Sequence, residues 1–240
     1  MKPQQQLIIP LFPVAIATAQ LQPDPLDTAR LLQQMLVWRG DATGNSQEGC
    51  AWTGDLHGLH QFHLCEDAAW LVDQLANQVA IYLKQLGFKS GCLSVHIQRS
   101  WPVISDPGQL LGCHHHPNAH LSAVYYLNGD GSGKCGALQL FNPSPLNELI
   151  PGMAVGADAP FDSSAVLNVH QHQIAAQAGL LVLFPAKLEH AVLENLSQNT
   201  RFSISFDLVL TAPPGPTTAE YLPPHPSLWV PLRQDGLPMP

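Results

Sequence analysis

The sequence predicts an α+β protein in which two helices precede an antiparallel, all-β core. Two observations support this prediction. In the first third of the chain, apolar residues recur at steps of three and four, as on one face of a helix. From Gly91 onward they alternate with polar residues or form short runs, separated by turns of glycine, proline, asparagine and aspartate. Such short strands indicate a sandwich or barrel, one face of which the helices cover.

The first helix follows an apolar segment that reaches Ala19. We expect this segment to form a first strand rather than a secretory signal, because Pro10 and Pro13 interrupt it. The helix itself begins at Pro25 and ends near Trp38. Its apolar face contains Leu31, Met35 and Trp38.

The second helix has the clearest periodicity in the chain. It begins at Glu66 and Asp67, and it ends at Gly87, a residue type that commonly terminates helices. Its predicted buried face contains Leu71, Leu75, Val79, Tyr82 and Leu86. Residues 41–65, between the two helices, are rich in glycine, asparagine, serine and histidine and are predicted to form a loop.

The strands are predicted from a period of two. Leu93, Val95 and Ile97 alternate with polar residues, as in a half-buried strand. Five further runs are strand-like: Leu121–Leu127, Ala137–Phe141, Ala165–Val169, Leu180–Phe184 and Phe202–Leu208. We therefore expect a single domain over residues 1–211. Residues 212–240 are rich in proline and are predicted to form an extended tail on the domain or to be disordered.

Charge and cysteine content exclude several classes of function. The formal net charge is −8 and the ten basic residues are scattered, which argues against a nucleic-acid partner. The five cysteines form no C-x-x-C pair, so reduced thiols in a cytoplasmic protein are expected rather than a disulfide framework. Membrane insertion is not expected, since no apolar stretch is long and uninterrupted enough to cross a bilayer.

A histidine cluster is the main candidate for chemistry. His114 and His116 lie two residues apart, and on an extended chain such residues point to the same side. Imidazole suits iron, zinc, copper and nickel, so the ligand type does not choose the metal. A third ligand must come from another strand, and His190, after the apolar run that ends at Pro185, is the best candidate. The pair His170 and His172 has the same spacing and is the alternative, although no aromatic strand follows it.

A second candidate feature lies on the last predicted strand. Phe202, Ile204 and Phe206 share one face, which leaves Arg201, Ser203 and Ser205 on the other. An arginine beside a hydroxyl can bind a carboxylate through a charge-assisted pair of hydrogen bonds. The alternative is a surface salt bridge at Arg201.

The order of these motifs resembles the 2-oxoglutarate/Fe(II) oxygenase superfamily, most closely its prolyl-hydroxylase-like branch and a group of bacterial and phage relatives. The similar segments are H-x-H-P, S-x-V-Y-Y-L-N, G-x-L-x-x-F-N-P, L-V-L-F-P-x-x-x-x-H and R-x-S-x-S-F, which extend from about Leu93 to Leu210. The resemblance implies a double-stranded β-helix, or jelly roll. It also implies Fe(II) as the metal and 2-oxoglutarate as the co-substrate.

The resemblance assigns roles to particular residues. His114 and His190 match the two histidine ligands of the family, and His116 stands where most members have a carboxylate ligand. Arg201 matches the basic residue that pairs with the distal carboxylate of 2-oxoglutarate. The co-substrate contacts that the family also implies are made by Tyr126, Ser203 and Ser122.

The function that follows from the resemblance is a dioxygenase that decarboxylates 2-oxoglutarate to succinate. Molecular oxygen would be consumed in hydroxylating an unactivated C–H bond of an amino-acid-like small molecule or a peptide. Two alternatives are a three-histidine cupin enzyme that uses no 2-oxoglutarate and a binding module without catalysis. Substrate contacts are expected from residues 41–65, 103–112 and 143–163 and from the tail. The sequence does not give the oligomeric state.

Overall fold

The computed structural model describes residues 13–40, 45, 47–89, 91–144, 149–150, 152–153, 158, 160, 162, 169–215 and 221–231. Its helices are Pro25–Arg39 (α1) and Ala69–Gln85 (α2). Short 3-10 turns occur at Gly54–His57, Phe62–Leu64, Glu66–Ala68 and Pro226–Leu228. The strands are Ala17–Gln20 (β1), Trp52–Thr53 (β2), Ser94–Ser105 (β3), Leu111–His114 (β4), Leu121–Tyr126 (β5), Leu138–Phe141 (β6), Gln171–Ile174 (β7), Leu180–Pro185 (β8), His190–Val192 (β9) and Arg201–Thr211 (β10).

The strands form two antiparallel sheets. The larger sheet has the order β1-β8-β5-β10-β3-β2, and the smaller has the order β4-β9-β6-β7. Sequence neighbours are mostly not spatial neighbours, so the chain crosses repeatedly between the sheets, as in a jelly roll. The predicted fold class, an all-β core with flanking helices, is confirmed.

The two helices cover the outer face of the larger sheet. Leu31 and Met35 of α1 are fully buried there, and α2 buries Leu75 and Val79 against the same core. The predicted apolar faces of both helices are therefore right, with one exception. Leu86 follows the last turn of α2 and is 42% exposed, because the helix ends at Gln85.

Strand alternation divides the apolar residues between two cores. Tyr125 and Leu183 face the helices, whereas their neighbours Tyr126 and Phe184 face the space between the sheets. The inner core is completed by apolar residues of the smaller sheet, among them Leu138. The period of two places successive side chains of one strand in different layers. The inner layer ends at the open side of the jelly roll, where the polar residues of the site lie.

A β-bulge in β3 changes which residues face the inner layer. Its pairing with β10 slips by one residue between Ile97 and Arg99. Before the slip, Ile97 packs towards the helices, and after it the even-numbered Ile104 does so. A bulge of one residue has this effect on every later side chain of the strand. It therefore turns Arg99 and Trp101 towards the inner layer, where sequence alternation alone did not predict them.

Predictions for three other segments can be compared with the structure. β1 pairs with β8, as expected of a first strand, and residues 1–12 lie outside the described residues. The strand predicted at Ala165–Val169 also lies outside them, except for Val169, which is in no strand. In the tail, Leu222 packs against the helix-side core, and the N–H of Ala212 donates to the carbonyl of Pro223. Among the described residues, no helix is long and apolar enough to span a membrane.

Candidate functional site

Three histidines meet at the mouth of the jelly roll. His114 at the end of β4 and His190 at the start of β9 are direct cross-strand neighbours. His116 follows β4, and its backbone N–H donates to the carbonyl of Ala186 at 2.9 Å. One ligand nitrogen from each ring lies within 4.8 Å of the other two, and the Nε2 atoms of His116 and His190 are 3.3 Å apart. Three imidazoles at these separations can bind one cation.

The Nδ1 atom of each ring lies close to an acceptor oxygen. That of His114 lies 2.8 Å from the carbonyl oxygen of Gly112, and that of His190 lies 2.9 Å from that of Leu188. The Nδ1 atom of His116 lies 2.8 Å from a carboxylate oxygen of Asp207, although its N–H is not aligned for an ideal hydrogen bond. These acceptors favour a proton on Nδ1, which leaves the Nε2 lone pairs for a metal.

Burial keeps His114 and His190 in the neutral form. It lowers the pKa of His190 to about 3, with a further contribution from the nearby His114. It also lowers the pKa of His114, with a smaller contribution from His116. Because a metal binds the neutral imidazole, these shifts leave both side chains ready to act as ligands at neutral pH.

The carboxylate behind His116 belongs to a buried ion-pair network. Asp207 is 0% exposed, and one of its oxygens lies 2.6 Å from Nε of Arg99. Burial raises the pKa of Asp207, but the hydrogen bonds and charges of His116 and Arg99 outweigh that effect and leave the pKa below its usual value. Asp207 is therefore ionised beside the histidine cluster.

The cluster opens into a cavity of about 390 Å³ between the sheets. At its inner end lies Arg201, which is 1% exposed. Its Nη1 atom donates to the carbonyl oxygens of Gly136 at 3.0 Å and of Cys135 at 3.3 Å, and its buried Nε has no partner among the described residues. No carboxylate of those residues forms a salt bridge with it, so the surface salt bridge considered as an alternative is not found. An unpaired buried guanidinium favours an anionic ligand.

Hydroxyl groups line the cavity next to this guanidinium. Ser203 lies opposite Tyr126 in the pairing of β10 with β5, and both line the cavity together with Ser122. Burial raises the pKa of Tyr126 to about 12, so its phenol keeps its proton and can donate to an anionic oxygen. Burial also lowers the pKa of Arg201, but an arginine stays charged in a protein at neutral pH. The cavity thus contains three histidines that could hold a metal ion and, separately, a buried guanidinium with hydroxyl groups beside it.

Comparison with known proteins agrees with this geometry. Residues 99–207 match the family model described as "Putative 2OG-Fe(II) oxygenase". The matched segment is 109 of the 240 residues, and over that length the chain is similar to 2-oxoglutarate/Fe(II) oxygenases. No curated protein matches the sequence.

Solved structures of this superfamily share the fold at low sequence identity. The epimerase SnoN from nogalamycin biosynthesis is 13% identical, with a TM-score of 0.57 over 95% of this chain and 91% of that one. A prolyl-4-hydroxylase from Pseudomonas putida is 18% identical, with a TM-score of 0.50 over 81% of this chain and 92% of that one. HygX from Streptomyces hygroscopicus, with nickel and 2-oxoglutarate bound, is 11% identical, with a TM-score of 0.52 over 81% of this chain and 82% of that one. These similarities support the jelly-roll fold.

The donor set fits the superfamily's Fe(II), with one departure. Imidazole is a good ligand for iron, and the three Nε2 atoms are free to face one ion. The common facial triad has two histidines and one carboxylate, whereas here all three donors are histidines. The carboxylate of Asp207 contacts His116 from behind, and that of Asp55 lines the cavity.

Sequence reasoning missed two members of this site. Asp207 belongs to the same face of β10 as Arg201 and Ser203, so the period of two could have found it. Arg99 points towards the inner layer only because of the bulge in β3, which no local sequence pattern predicted. The alternative pair is not supported as part of the cluster. In the described part of the chain, neither His170 nor His172 belongs to the group of histidines that could hold a metal.

Proposed function

We propose that this chain is an Fe(II)- and 2-oxoglutarate-dependent dioxygenase that hydroxylates an unactivated C–H bond of an amino-acid-like small molecule or a peptide. One observation carries the proposal. The three Nε2 donors of the histidine cluster and the unpaired guanidinium of Arg201 lie in one cavity. A three-histidine cupin enzyme that binds no anion needs no buried cation in its cavity, and a binding module without catalysis needs no metal ligands.

The protein's own residues would position the reactants. His114, His116 and His190 would hold the iron, which supplies the redox chemistry for oxygen activation and for decarboxylation of 2-oxoglutarate. Arg201, with Tyr126 and Ser203 donating beside it, would bind the distal carboxylate and so set the direction in which the keto acid enters.

The cavity walls would exclude water from the metal and restrict which substrates can bind. Apolar side chains from both sheets, including Leu138, Phe184 and Val192, line the cavity and restrict water near the metal ligands. The cavity lining also includes Thr53, Asp55 and Leu111, which belong to two of the regions predicted to contact substrate. We expect substrate to contact this part of the lining rather than Arg201, which is only 1% exposed.

The direct test of the function is 2-oxoglutarate turnover by the iron-loaded protein. We expect a weak visible charge-transfer band when Fe(II) and 2-oxoglutarate are added without oxygen, and succinate formation once oxygen is admitted. Screening amino acids and peptides for a mass gain of one oxygen then identifies the substrate. Iron uptake with neither the band nor succinate would support the three-histidine cupin alternative.

A glycine beside Arg201 offers a test of the anion site. Gly136 has φ +89°, and an added Cβ would lie 2.6 Å from Nη1 of Arg201 and 2.5 Å from the carbonyl oxygen of Leu193. Gly133 has a similar φ of +82° but open space around it. We expect Gly133→Ala to destabilise the fold by about 1–2 kcal/mol through backbone strain alone. Gly136→Ala should destabilise it further and weaken 2-oxoglutarate binding about tenfold or more.

Thermal unfolding and calorimetric titration of both glycine variants measure these effects. Equal 2-oxoglutarate affinity in the two variants would contradict the assignment of Arg201 to the co-substrate. If only Gly136→Ala lost affinity for 2-oxoglutarate, the loss would be due to displacement of the guanidinium, because both variants strain the backbone.

A further inference from the structure

Asp207 is the feature of the site that the proposed function leaves unexplained. It is the only buried acidic residue in the described part of the chain. Its carboxylate contacts Nδ1 of His116 at 2.8 Å, Nε of Arg99 at 2.6 Å and the hydroxyl of Ser122 at 3.4 Å. A carboxylate is costly to bury unless its partners compensate, so the fold maintains this group at a cost.

The position of Asp207 sets it apart from the other groups behind the histidines. The rings of His114 and His190 are held by backbone carbonyl oxygens, which carry only a partial charge. His116 alone has a full negative charge at its Nδ1 atom. At 2.8 Å the two atoms are within hydrogen-bonding distance, although the N–H is not ideally aligned.

The surroundings fix both partners of this contact. Arg99 binds Asp207 and also lies over the ring of Trp101, 4.7 Å from its centroid. The same tryptophan stacks on His116, with ring centroids 5.6 Å apart and planes 25° from parallel. The imidazole is therefore held between an aromatic plane and a carboxylate, and neither can move without disturbing the other.

The charge of the site gives this contact a further consequence. Three neutral imidazoles bring no negative charge to a divalent cation, whereas a ligand set of two histidines and a carboxylate brings one. A carboxylate hydrogen-bonded to a histidine ligand raises the basicity of that ligand and fixes its orientation. Asp207 is placed to do both.

We propose that Asp207 is a positioning residue of the metal centre, which orients His116 and supplies from behind it the negative charge that the three histidines lack. This inference rests on the proposed metal site. It predicts that the charge of Asp207, and not only its shape, determines metal affinity.

The test is a calorimetric titration of the metal-free protein with Co(II), a stable substitute for Fe(II). Asp207→Asn keeps the shape and one acceptor but removes the charge, and we expect the affinity for Co(II) to fall about 10–100-fold. Asp106→Asn is the matched control. Asp106 forms an ion pair with Arg39 at 2.6 Å and does not line the cavity. The Asp106→Asn protein should therefore bind Co(II) as tightly as the wild type.

A second measurement needs no variant of Asp207. Long-range ¹H–¹⁵N NMR correlations of the metal-free wild-type protein report the histidine tautomers, and His116→Gln identifies the relevant signals. We expect His116 to carry its proton on Nδ1. An Nε2–H tautomer would overturn the inference even if Asp207→Asn failed to fold.

The outcomes separate this inference from the proposed function. A wild-type protein that binds no Co(II) would overturn both. Tight binding by the wild type, with an affinity of Asp207→Asn within twofold of it, would overturn only the role of Asp207. A loss in Asp207→Asn without one in Asp106→Asn would support it.

Discussion

Replacing Arg201 with methionine is expected to weaken 2-oxoglutarate binding by about 100-fold or more while leaving metal affinity unchanged. Arg201 is 1% exposed and its Nε has no hydrogen-bond partner among the described residues. A dicarboxylate could therefore bind the guanidinium without first displacing another anion. A hydrogen bond to a charged group contributes about 1.5–3 kcal/mol. Two such bonds account for the expected loss, since about 1.4 kcal/mol corresponds to tenfold.

The same variant is expected to leave the ligand-free protein as stable as the wild type, or more so. A buried charge without an opposite charge destabilises a fold, and an apolar residue of similar size removes that cost. Urea unfolding, with and without 2-oxoglutarate, separates the two effects. The wild type should be stabilised by the co-substrate, and Arg201→Met should not.

Arg39→Met is the matched control for this pair of effects. Arg39 forms an ion pair with Asp106 at 2.6 Å, so the same substitution there removes a paired charge outside the cavity. We expect it to lower stability and to leave 2-oxoglutarate affinity unchanged. If Arg201→Met bound 2-oxoglutarate as tightly as the wild type, the anion site would have to lie elsewhere.

Replacing His190 with alanine is expected to weaken metal binding by roughly 100-fold or more and to abolish succinate formation. Loss of a residue that merely supports a ligand typically lowers metal affinity by about 10–100-fold, and loss of a ligand should exceed that. His190 is only 3% exposed, and its Nε2 atom lies 3.3 Å from that of His116, so its loss removes a buried donor from the centre of the cluster. Calorimetric titration with Co(II) and a succinate assay measure the two effects.

His172→Ala provides the control for His190→Ala. His172 lies on the neighbouring part of the smaller sheet, where β7 pairs with β6, but it does not belong to the metal-binding group. Its replacement should change neither metal affinity nor turnover. Because His190 also packs edge-to-face on Phe184, its removal should lower thermal stability as well. Unimpaired metal binding by a folded His190→Ala protein would refute the proposed metal centre.

Local patterns in the sequence were sufficient for much of the fold. The spacing of Leu31 and Met35, and of Leu75 and Val79, identified the helix faces that cover the larger sheet. Alternation along β10 correctly separated Ile204 from the polar residues that line the cavity. Both periods arise from the geometry of a single element, so a single element is enough to reveal them.

Short strands and irregular pairing were beyond local patterns. The strand β9 has three residues, β2 has two, and neither is long enough to show a period. The bulge in β3 depends on its pairing with β10, so the inward position of Arg99 could not be deduced from the residues around it. Val95, which the alternation placed on the apolar face of this strand, lies before the bulge and is 38% exposed.

The sequence by itself determined which residues were available for chemistry and which face of a helix or strand they occupy. Only the tertiary structure decided that His114 and His190, seventy-six residues apart, become cross-strand neighbours, and that the carboxylate of Asp207 lies behind His116. The physical reason is the range of the interactions. Backbone geometry repeats over a few residues, so it can be predicted from the spacing of apolar and polar residues in the sequence. Contacts between strands depend instead on how the two sheets pack.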